Sequence, residues 1–313
     1  MPCEQDLCFC VMDVEVRHLR CLVAIAEEGT LTGAAARLRI GQPAVSRTLA
    51  QLEVLLGVRL VDRTTRRLEL TPDGVAFHRA SLRALAAVQD AVTAVTDAAR
   101  PLRVGYCWAA AGPHTTPILR AWRQAHPQVP VELNRHDERT AGLASGQADL
   151  ALVRVGLDRD RFARVELYRE PRYVAMSDGD PLAGRGDVRL ADLAGRGLAV
   201  VSAYGTTTLS LWPEGGRPTI AADLRNLDDW LAVIGSGQAI GVTAASTAHQ
   251  YPRPGVRYSL LADAPPVPTW LAWDRRHVHP WQERFVALAR GVVLDHAEVG
   301  GEVVADGVAG TVR

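Results

Sequence analysis

The sequence of 313 residues is longer than one hydrophobic core usually supports, so two or three domains are expected. Its 48% hydrophobic and 22% charged residues are typical of a globular protein, and it has no run of about 18 apolar residues that could cross a membrane. The formal net charge is zero, which excludes a partner selected by the charge of the whole chain, and no membrane partner is expected.

The five cysteines form no recognisable metal or disulfide pattern, since their number is odd and no two are spaced Cys-x-x-Cys. Cys3, Cys8 and Cys10 lack a fourth metal ligand nearby. The N-terminal segment MPCEQDLCFCVM lacks the basic residues that begin a signal peptide. Residues 1–12 are therefore expected to be a disordered leader, with Met12 as an alternative start. We predict a reducing, cytoplasmic location, with no bound metal and no cofactor.

Three short helices are predicted at the start of the globular part of the chain. The spacing of apolar residues indicates helices over about 16–28, 31–38 and 42–56. Thr30 is a candidate cap for the second helix, and Ile40-Gly41 forms a tight turn before the third. A helix, a tight turn and a second helix are the parts that place one helix in the major groove of DNA.

The third helix has one apolar face and one polar face. Its apolar face consists of Val45, Leu49, Leu52 and Leu56, and its first turn presents outward Gln42, Pro43, Ser46 and Arg47. Glutamine can bridge adenine, arginine can bind guanine through two bonds, and proline or alanine (Ala44) can touch a thymine methyl group. An ordinary amphipathic helix with a solvated polar face is the alternative.

An arginine-rich hairpin follows the third helix. Residues 58–70 indicate two short strands around the sequence Arg63-Thr64-Thr65-Arg66-Arg67. All 35 basic residues of the chain are arginine, so a single arginine carries little weight. Between residues 37 and 67, however, seven arginines and two acidic residues give a local net charge of +5. Phosphate-binding arginines beside a reading helix favour DNA binding over the alternative.

A long helix is predicted next. Thr71 is a candidate cap, Pro72 suits the first turn, and the helix should extend to about Ala99. Its apolar stripe consists of Val75, Leu82, Leu85, Val88, Val92 and Val95. A solvated helix does not need such a stripe, so we predict self-association through this helix.

From Leu102 the pattern changes to short apolar runs separated by helical stretches. The runs are LRVGY, VPVELN, DLALVRV, LAVVSA and AIGVTA. This alternation predicts an α/β domain with largely parallel strands. The runs 165–176 and 270–273 are candidates for segments that cross between two lobes, and a last helix is expected over about 280–296.

Residues 16–75 resemble the winged helix-turn-helix of LysR-type transcriptional regulators. The matching segments are LxCLVAIAEEGTLTGAAARL, QPAVSRTLAQLE and LGVRLVDRTTRRLELTPDG. Two positions depart from the family pattern: Gly41 replaces a usual Ser or Thr cap, and Val61 replaces a common phenylalanine. The resemblance implies DNA contacts from Thr30, Thr32, Gln42, Pro43, Ala44, Ser46, Arg47, Arg63, Arg66 and Arg67. It also implies a dimer or tetramer on a dyad-symmetric double-stranded operator.

The remainder resembles the family's effector domain, two α/β lobes like a periplasmic binding protein with a small molecule between them. The expected organisation is a DNA-binding domain over 13–72, a linker helix over 73–100 and an effector domain over 101–297. Lobe 1 is expected over 101–171 and 268–297, lobe 2 over 172–267, and a disordered tail over 298–313.

The resemblance implies a small-molecule effector of unidentified chemistry. Family members commonly have Ser-Thr-Thr after the first strand of this domain, where the present chain has Cys107, Trp108 and Ala109. This difference suggests a ligand more aromatic or apolar than a small dicarboxylate; alternatively, Trp108 itself fills the cleft and no carboxylate ligand binds. Further candidate ligand contacts, each just after a strand, are Ser202, Tyr204 and Thr243.

A sequence-specific transcriptional regulator controlled by this effector explains both halves of the chain. The alternatives are a solute-binding protein or an enzyme that uses only the second half. No catalytic motif is recognisable, so an enzyme is not predicted. A solute-binding protein would leave residues 16–75 without a role.

Overall fold

The computed structural model describes residues 13–63, 68–95 and 100–300. The chain divides into two compact units, with the division at Arg100–Pro101. The predicted leader, residues 301–313 of the predicted tail, residues 64–67 of the hairpin and residues 96–99 of the predicted long helix lie outside the described residues.

The first unit contains the three predicted helices, an antiparallel hairpin and the start of the long helix. Their bounds are α1 Val16–Glu28, α2 Leu31–Leu38, α3 Gln42–Leu56, β1 Val61–Arg63, β2 Leu68–Leu70 and α4 Pro72–Val95. Helix α1 ends at Gly29, whose φ of 65° is a left-handed conformation that glycine adopts without strain. Thr30 caps α2 as predicted, because its hydroxyl accepts a hydrogen bond of 3.0 Å from the Gly33 amide.

The core of this unit lies where the three short helices meet the hairpin. Its fully buried side chains include Leu22, Ile25, Val45, Leu49, Leu52 and Leu60. Thr71 caps α4 as predicted: its hydroxyl accepts the Gly74 amide at 2.9 Å and donates to the Arg59 carbonyl at 2.7 Å. Because Val45, Leu49 and Leu52 are buried in this core, the apolar face predicted for α3 is the face that packs against the rest of the unit.

The second unit contains two lobes, and the first is built on a five-stranded sheet. The strand order is β4-β3-β5-β12-β6. Strand β3 is parallel to β4 and β5, whereas β12 is antiparallel to β5 and β6. Two helices, α5 and α8, pack on this sheet through Ile118, Trp122, Phe285 and Ala289. The bounds are β3 Leu102–Tyr106, α5 Thr115–Ala125, β4 Val131–Arg135, β5 Leu150–Val153, β6 Phe162–Glu170, β12 Val267–Asp274 and α8 Gln282–Gly300.

The second lobe contains an antiparallel sheet of order β10-β7-β11 and a parallel pair, β8 and β9. Buried apolar residues of both lobes form one continuous cluster that includes Trp108, Val153, Ala175 and Trp230. The bounds are β7 Arg172–Ser177, β8 Gly197–Val200, β9 Thr219–Asp223, α6 Leu227–Gly235, β10 Gly241–Ala244, α7 Ala245–Gln250 and β11 Val256–Leu260.

Three sequence expectations for this unit need correction. The strands are not largely parallel, because β12 returns into the first sheet against its neighbours and β7 pairs with antiparallel strands on both sides. The run 270–273 does not cross between the lobes: it lies inside β12, and the return occurs between Leu260 and Val267. The run 270–273 was misread because an uninterrupted apolar run is also typical of a strand that is buried on both faces of its sheet. Finally, α8 continues to Gly300 rather than ending near His296.

The predicted crossing at 165–176 corresponds to two strands in series. Strand β6 belongs to the first lobe and ends at Glu170, and β7 belongs to the second lobe and begins at Arg172. Pro171 between them has no amide hydrogen for a strand ladder, which suits a point where the chain changes sheets.

Candidate DNA interface and effector cleft

The first turn of α3 presents its polar residues to solvent. Gln42, Pro43 and Arg47 are exposed, and Ala44 and Ser46 are half-buried. The opposite face is anchored in the core by the buried residues Val45, Leu49 and Leu52. Arg47 forms no ion pair with any residue that the structure describes, so its guanidinium group is available to a partner.

The other predicted DNA contacts flank this turn. Thr30 and Thr32 are exposed at the start of α2, and the Thr30 hydroxyl is already used in capping. Arg63 ends β1 and pairs in the backbone register with Leu68. Arg66 and Arg67 lie outside the described residues, so their role stays a prediction.

The turn after β3 is buried. The Cys107 thiol lies 3.1 Å from the Glu138 carbonyl, and burial raises the pKa of this thiol to about 12. Trp108 is 7% exposed and its ring packs on Tyr204, with 5.0 Å between ring centroids. Ala109 is 2% exposed and has a φ of 52°, which costs energy for a residue with a side chain. These residues therefore form part of the core between the lobes.

A cleft of about 530 Å³ opens between the lobes near this turn. Its polar lining consists of Arg139 and Arg154 from the first lobe and, from the second, Ser202, Thr206, Thr207 and Thr208. An adjoining cavity of about 20 Å³ is lined by Trp108, Leu227, Trp230 and Thr243, among others, and it shares Thr206 and Thr207 with the cleft. A cleft of this size between two lobes is suited to a small organic molecule.

The predicted effector residues are distributed unevenly around these spaces. Ser202 lines the cleft, and Trp108 and Thr243 line the smaller cavity. Cys107, Ala109 and Tyr204 line neither. Part of the cleft surface was thus predicted. Most of the turn after β3, however, lines neither the cleft nor the smaller cavity.

Ser202 and Tyr204 already have partners in the structure. The Ser202 hydroxyl donates to Asp223 at 2.6 Å and its amide donates to the same carboxylate at 3.0 Å, which lowers the pKa of Asp223. The Tyr204 hydroxyl donates to the Arg225 carbonyl at 2.9 Å, and burial raises its pKa. Both side chains therefore help to fix the turn that follows β8.

Arg139, Arg154 and the three threonines were not predicted from the sequence. The run Gly205-Thr206-Thr207-Thr208 after an apolar strand was a visible signal, because hydroxyl-rich turns after strands often bind ligands. Arg139 and Arg154 carried no local signal, since they come from separate loops and arginine is frequent throughout this chain.

The winged helix-turn-helix joined to a two-lobed α/β unit defines a DNA-binding regulator with a ligand-binding domain. Comparison with known families supports this class for both halves. Residues 16–75 match the bacterial regulatory helix-turn-helix protein of the lysR family, and residues 96–293 match the LysR substrate binding domain. The chain belongs to the LysR family of transcriptional regulators.

Characterised relatives and solved structures agree with this assignment. The HTH-type transcriptional regulator BenM of Acinetobacter baylyi is 28% identical over 247 residues, which cover 75% of this chain and 81% of that protein. The regulator TfdS of Cupriavidus pinatubonensis is 29% identical over 263 residues, 80% of this chain and 89% of that protein. The crystal structure of the LysR family regulator CbnR is 25% identical, with a TM-score of 0.61, and covers 90% of this chain and 99% of that one.

One similar structure includes DNA. Full-length CbnR complexed with its target DNA is 26% identical to this chain, with a TM-score of 0.53 over 90% of this chain and 100% of that one.

These findings decide between the functions considered from the sequence. The chain is a transcriptional regulator with a DNA-binding helix-turn-helix and an effector-binding domain. A solute-binding protein or an enzyme built only on the second half is not supported, since the relatives are regulators. Among the described helices, none is long and apolar enough to cross a membrane.

Proposed function

We propose that this regulator reads its operator through the first turn of α3, with Arg47 as the principal base-reading side chain. The observation that carries this proposal is the exposure of Gln42, Pro43 and Arg47 on a helix whose opposite face is buried in the core of the unit. A helix fixed in this way presents the same side chains to every DNA site. Ala44, Ser46, Thr30 and Thr32 would complete the base and backbone contacts on this side of the helix.

The arginines of the hairpin would bind phosphates beside the reading helix. Arg63, Arg66 and Arg67 belong to the segment with a local charge of +5, and phosphate contacts fix the register of a protein on DNA without reading its sequence.

The regulator is proposed to bind DNA as a dimer or tetramer. Helix α4 exposes Val75, Val88 and Val92, which are 37%, 39% and 50% exposed. Valines of the predicted stripe that stay exposed on one chain are available to a second copy. A symmetric dimer would place two reading helices on a dyad-symmetric site.

The effector is proposed to bind in the 530 Å³ cleft, where Ser202 and the threonine turn line one side. Trp108 and Thr243 would border its inner end, and Cys107, Ala109 and Tyr204 would support the wall from behind. The protein is proposed to have no catalytic activity and to reside in the cytoplasm, where its DNA lies.

A gel-shift titration on the DNA upstream of its own gene tests the reading helix. Replacement of Arg47 by alanine should weaken binding by about 1–3 kcal/mol, or roughly 5- to 150-fold. The matched control is Arg185→Ala, which removes one exposed arginine from the second unit and should bind like the parent protein. Equal loss in both variants, or no loss in Arg47→Ala, would contradict the proposed role.

A further inference from the structure

A carboxylate on the reading helix is bonded to the start of the arginine hairpin. Glu53, in the last turn of α3, accepts hydrogen bonds from the backbone amides of Leu60 at 2.8 Å and Val61 at 3.2 Å. Both bonds end on the same carboxylate oxygen, Oε1. Leu60 and Val61 are 0% and 4% exposed, so both bonds form away from water, where an unpaired amide is costly. The carboxylate therefore fixes the position at which β1 begins.

The same segment is held from its other side by the start of α4. The Thr71 amide donates to the Leu60 carbonyl at 3.0 Å, and the Thr71 hydroxyl donates to the Arg59 carbonyl at 2.7 Å. Residues 59–61 are thus bonded to α3 through the Glu53 side chain and to α4 through Thr71. Because it is bonded on both sides, this segment gives the hairpin a fixed direction relative to α3.

The negative charge of Glu53 opposes the function of the segment in which it lies. Glu53 and Asp62 are the two acidic residues between residues 37 and 67, where seven arginines give the local charge of +5. A carboxylate repels DNA phosphates, so by charge alone Glu53 weakens the binding proposed for this segment. Its two hydrogen bonds have the opposite effect, because a hairpin that is already in position loses less conformational freedom on binding.

We propose that Glu53 is a positioning residue for DNA binding. Through the amides of Leu60 and Val61 it sets the spacing at which Arg47 and the hairpin arginines engage one DNA site together. This inference rests on the proposed DNA-binding roles of Arg47 and of the hairpin. Glu53 follows Arg47 on the same helix, about 9 Å along its axis. A displacement of the hairpin at Glu53 therefore changes the spacing between the base-reading and the phosphate-binding groups.

The salt dependence of operator binding separates this role from a merely structural one. The logarithm of the binding constant falls linearly with the logarithm of the salt concentration, by about 0.9 per phosphate contact. A variant that only lowers the folded fraction weakens binding by the same factor at every salt concentration and keeps this slope. Glu53→Ala should weaken binding at low salt and reduce the slope by about 0.9 or more, the contribution of one phosphate contact. Gel shifts of the full chain on the DNA upstream of its own gene, repeated over a salt series, measure both.

Three further variants distinguish position from charge. Glu53→Gln keeps an oxygen that accepts both amides, so its slope should match that of the parent. The matched control, Glu69→Ala, removes an exposed carboxylate from β2 of the same hairpin and should also keep the parent slope. If Glu53→Ala does not fold, as judged by circular dichroism, Glu53→Asp takes its place. Aspartate keeps the charge on a side chain one methylene shorter, so it should reduce the slope.

A double-mutant cycle tests the link between Glu53 and the hairpin. Arg66 and Arg67 lie outside the described residues, and their replacement together by alanine should reduce the parent slope by up to about 1.8, or two phosphate contacts. In the Glu53→Ala or Glu53→Asp background the same pair should reduce the slope by less, because contacts from the displaced hairpin are already lost.

The inference is overturned if Glu53→Ala, or Glu53→Asp in its place, keeps the parent slope, or if Glu53→Gln reduces it equally. Additive losses in the cycle also overturn it. The parent protein and the arginine variants separate these outcomes from failure of the proposed function. Parent binding without sequence preference contradicts the reading helix itself, and an unchanged slope after replacement of Arg66 and Arg67 contradicts the phosphate contacts. Specific, salt-dependent parent binding beside an unchanged Glu53→Ala contradicts only the role of Glu53.

Discussion

At the scale of single residues, Arg154 is a buried arginine with several hydrogen-bond partners. Besides Glu170, it donates to the carbonyls of Trp108 at 3.2 Å and Ala110 at 2.9 Å and to the Ser246 hydroxyl at 3.0 Å. Ser246 belongs to the second lobe, and the Trp108–Ala110 turn contains two alanines with positive φ. Arg154 therefore fixes a strained turn and ties it to both lobes.

Replacement of Glu170 by glutamine should destabilise the second unit strongly. The charged groups of Arg154 and Glu170 are only 4% and 6% exposed, so loss of the carboxylate leaves a buried cation. We expect a loss of about 3–5 kcal/mol in the free energy of unfolding. Guanidinium denaturation followed by tryptophan fluorescence measures this loss.

Glu166→Gln is the matched control for this prediction. Glu166 lies on the same strand and pairs with Arg169, but these side chains are 38% and 54% exposed. Solvent screening limits such a pair to about 1 kcal/mol or less. Similar losses in the two variants would show that the buried pair is not the determinant.

Residue roles could be predicted where they depend on local pattern. The exposed and buried faces of α3 follow from the spacing of Val45, Leu49 and Leu52, and the structure confirms them. Arg139, Arg154 and Thr206 come from three separate segments, so no local pattern brings them together in the cleft. The turn 107–109 was found from its sequence, but its burial depends on packing against Tyr204, almost a hundred residues away in the chain.

At the scale of elements, the start of α4 depends on a close approach to the hairpin. A Cβ atom at Gly74 would lie 1.9 Å from the Leu60 carbonyl oxygen. This is far shorter than a non-bonded carbon–oxygen contact, so the backbone would have to move. Glycine at this position lets the first turn of α4 pack directly on the segment before β1. The reading helix packs in the same core as Leu60.

Gly74→Ala should therefore loosen the first unit by about 3 kcal/mol or more. Hydrogen exchange of peptides from α1 and α3 should accelerate, and DNA affinity should fall. Tryptophan fluorescence should be unchanged, because all tryptophans lie in the second unit.

Gly291→Ala provides the matched control for the element. Gly291 lies within α8, where an added Cβ meets no atom within 4 Å, so alanine should stabilise this helix by up to about 1 kcal/mol. Unchanged exchange in Gly74→Ala would show that the close approach is not required.

The sequence predicts whether an element is a helix or a strand, but it does not predict whether a strand runs parallel or antiparallel to its neighbours. Helix caps at Thr30 and Thr71 are local and were predicted correctly. Strand direction depends on where the chain goes between strands, and an apolar run such as 267–274 reads the same in either direction. The antiparallel placement of β12 was therefore beyond a reading of periodicity.

At the scale of the whole molecule, the two units have different roles in a regulator. The first carries the exposed reading helix, and the second carries a cleft with positive charge and hydroxyl groups. The domain order was predictable because the sequence period changes at residue 102, and both family matches agree with the class of protein.

Footprinting of the full chain on the DNA upstream of its own gene is the most direct test of the central claim. A dimer that reads DNA through α3 should protect two half-sites of related, inverted sequence, whose centres are about one helical turn, or roughly 10 bp, or a multiple of this apart. In Arg47→Ala, half-maximal protection should need roughly 5- to 150-fold more protein, and protection should weaken steeply with salt. Uniform protection of unrelated DNA, or an unchanged footprint in Arg47→Ala, would contradict the account.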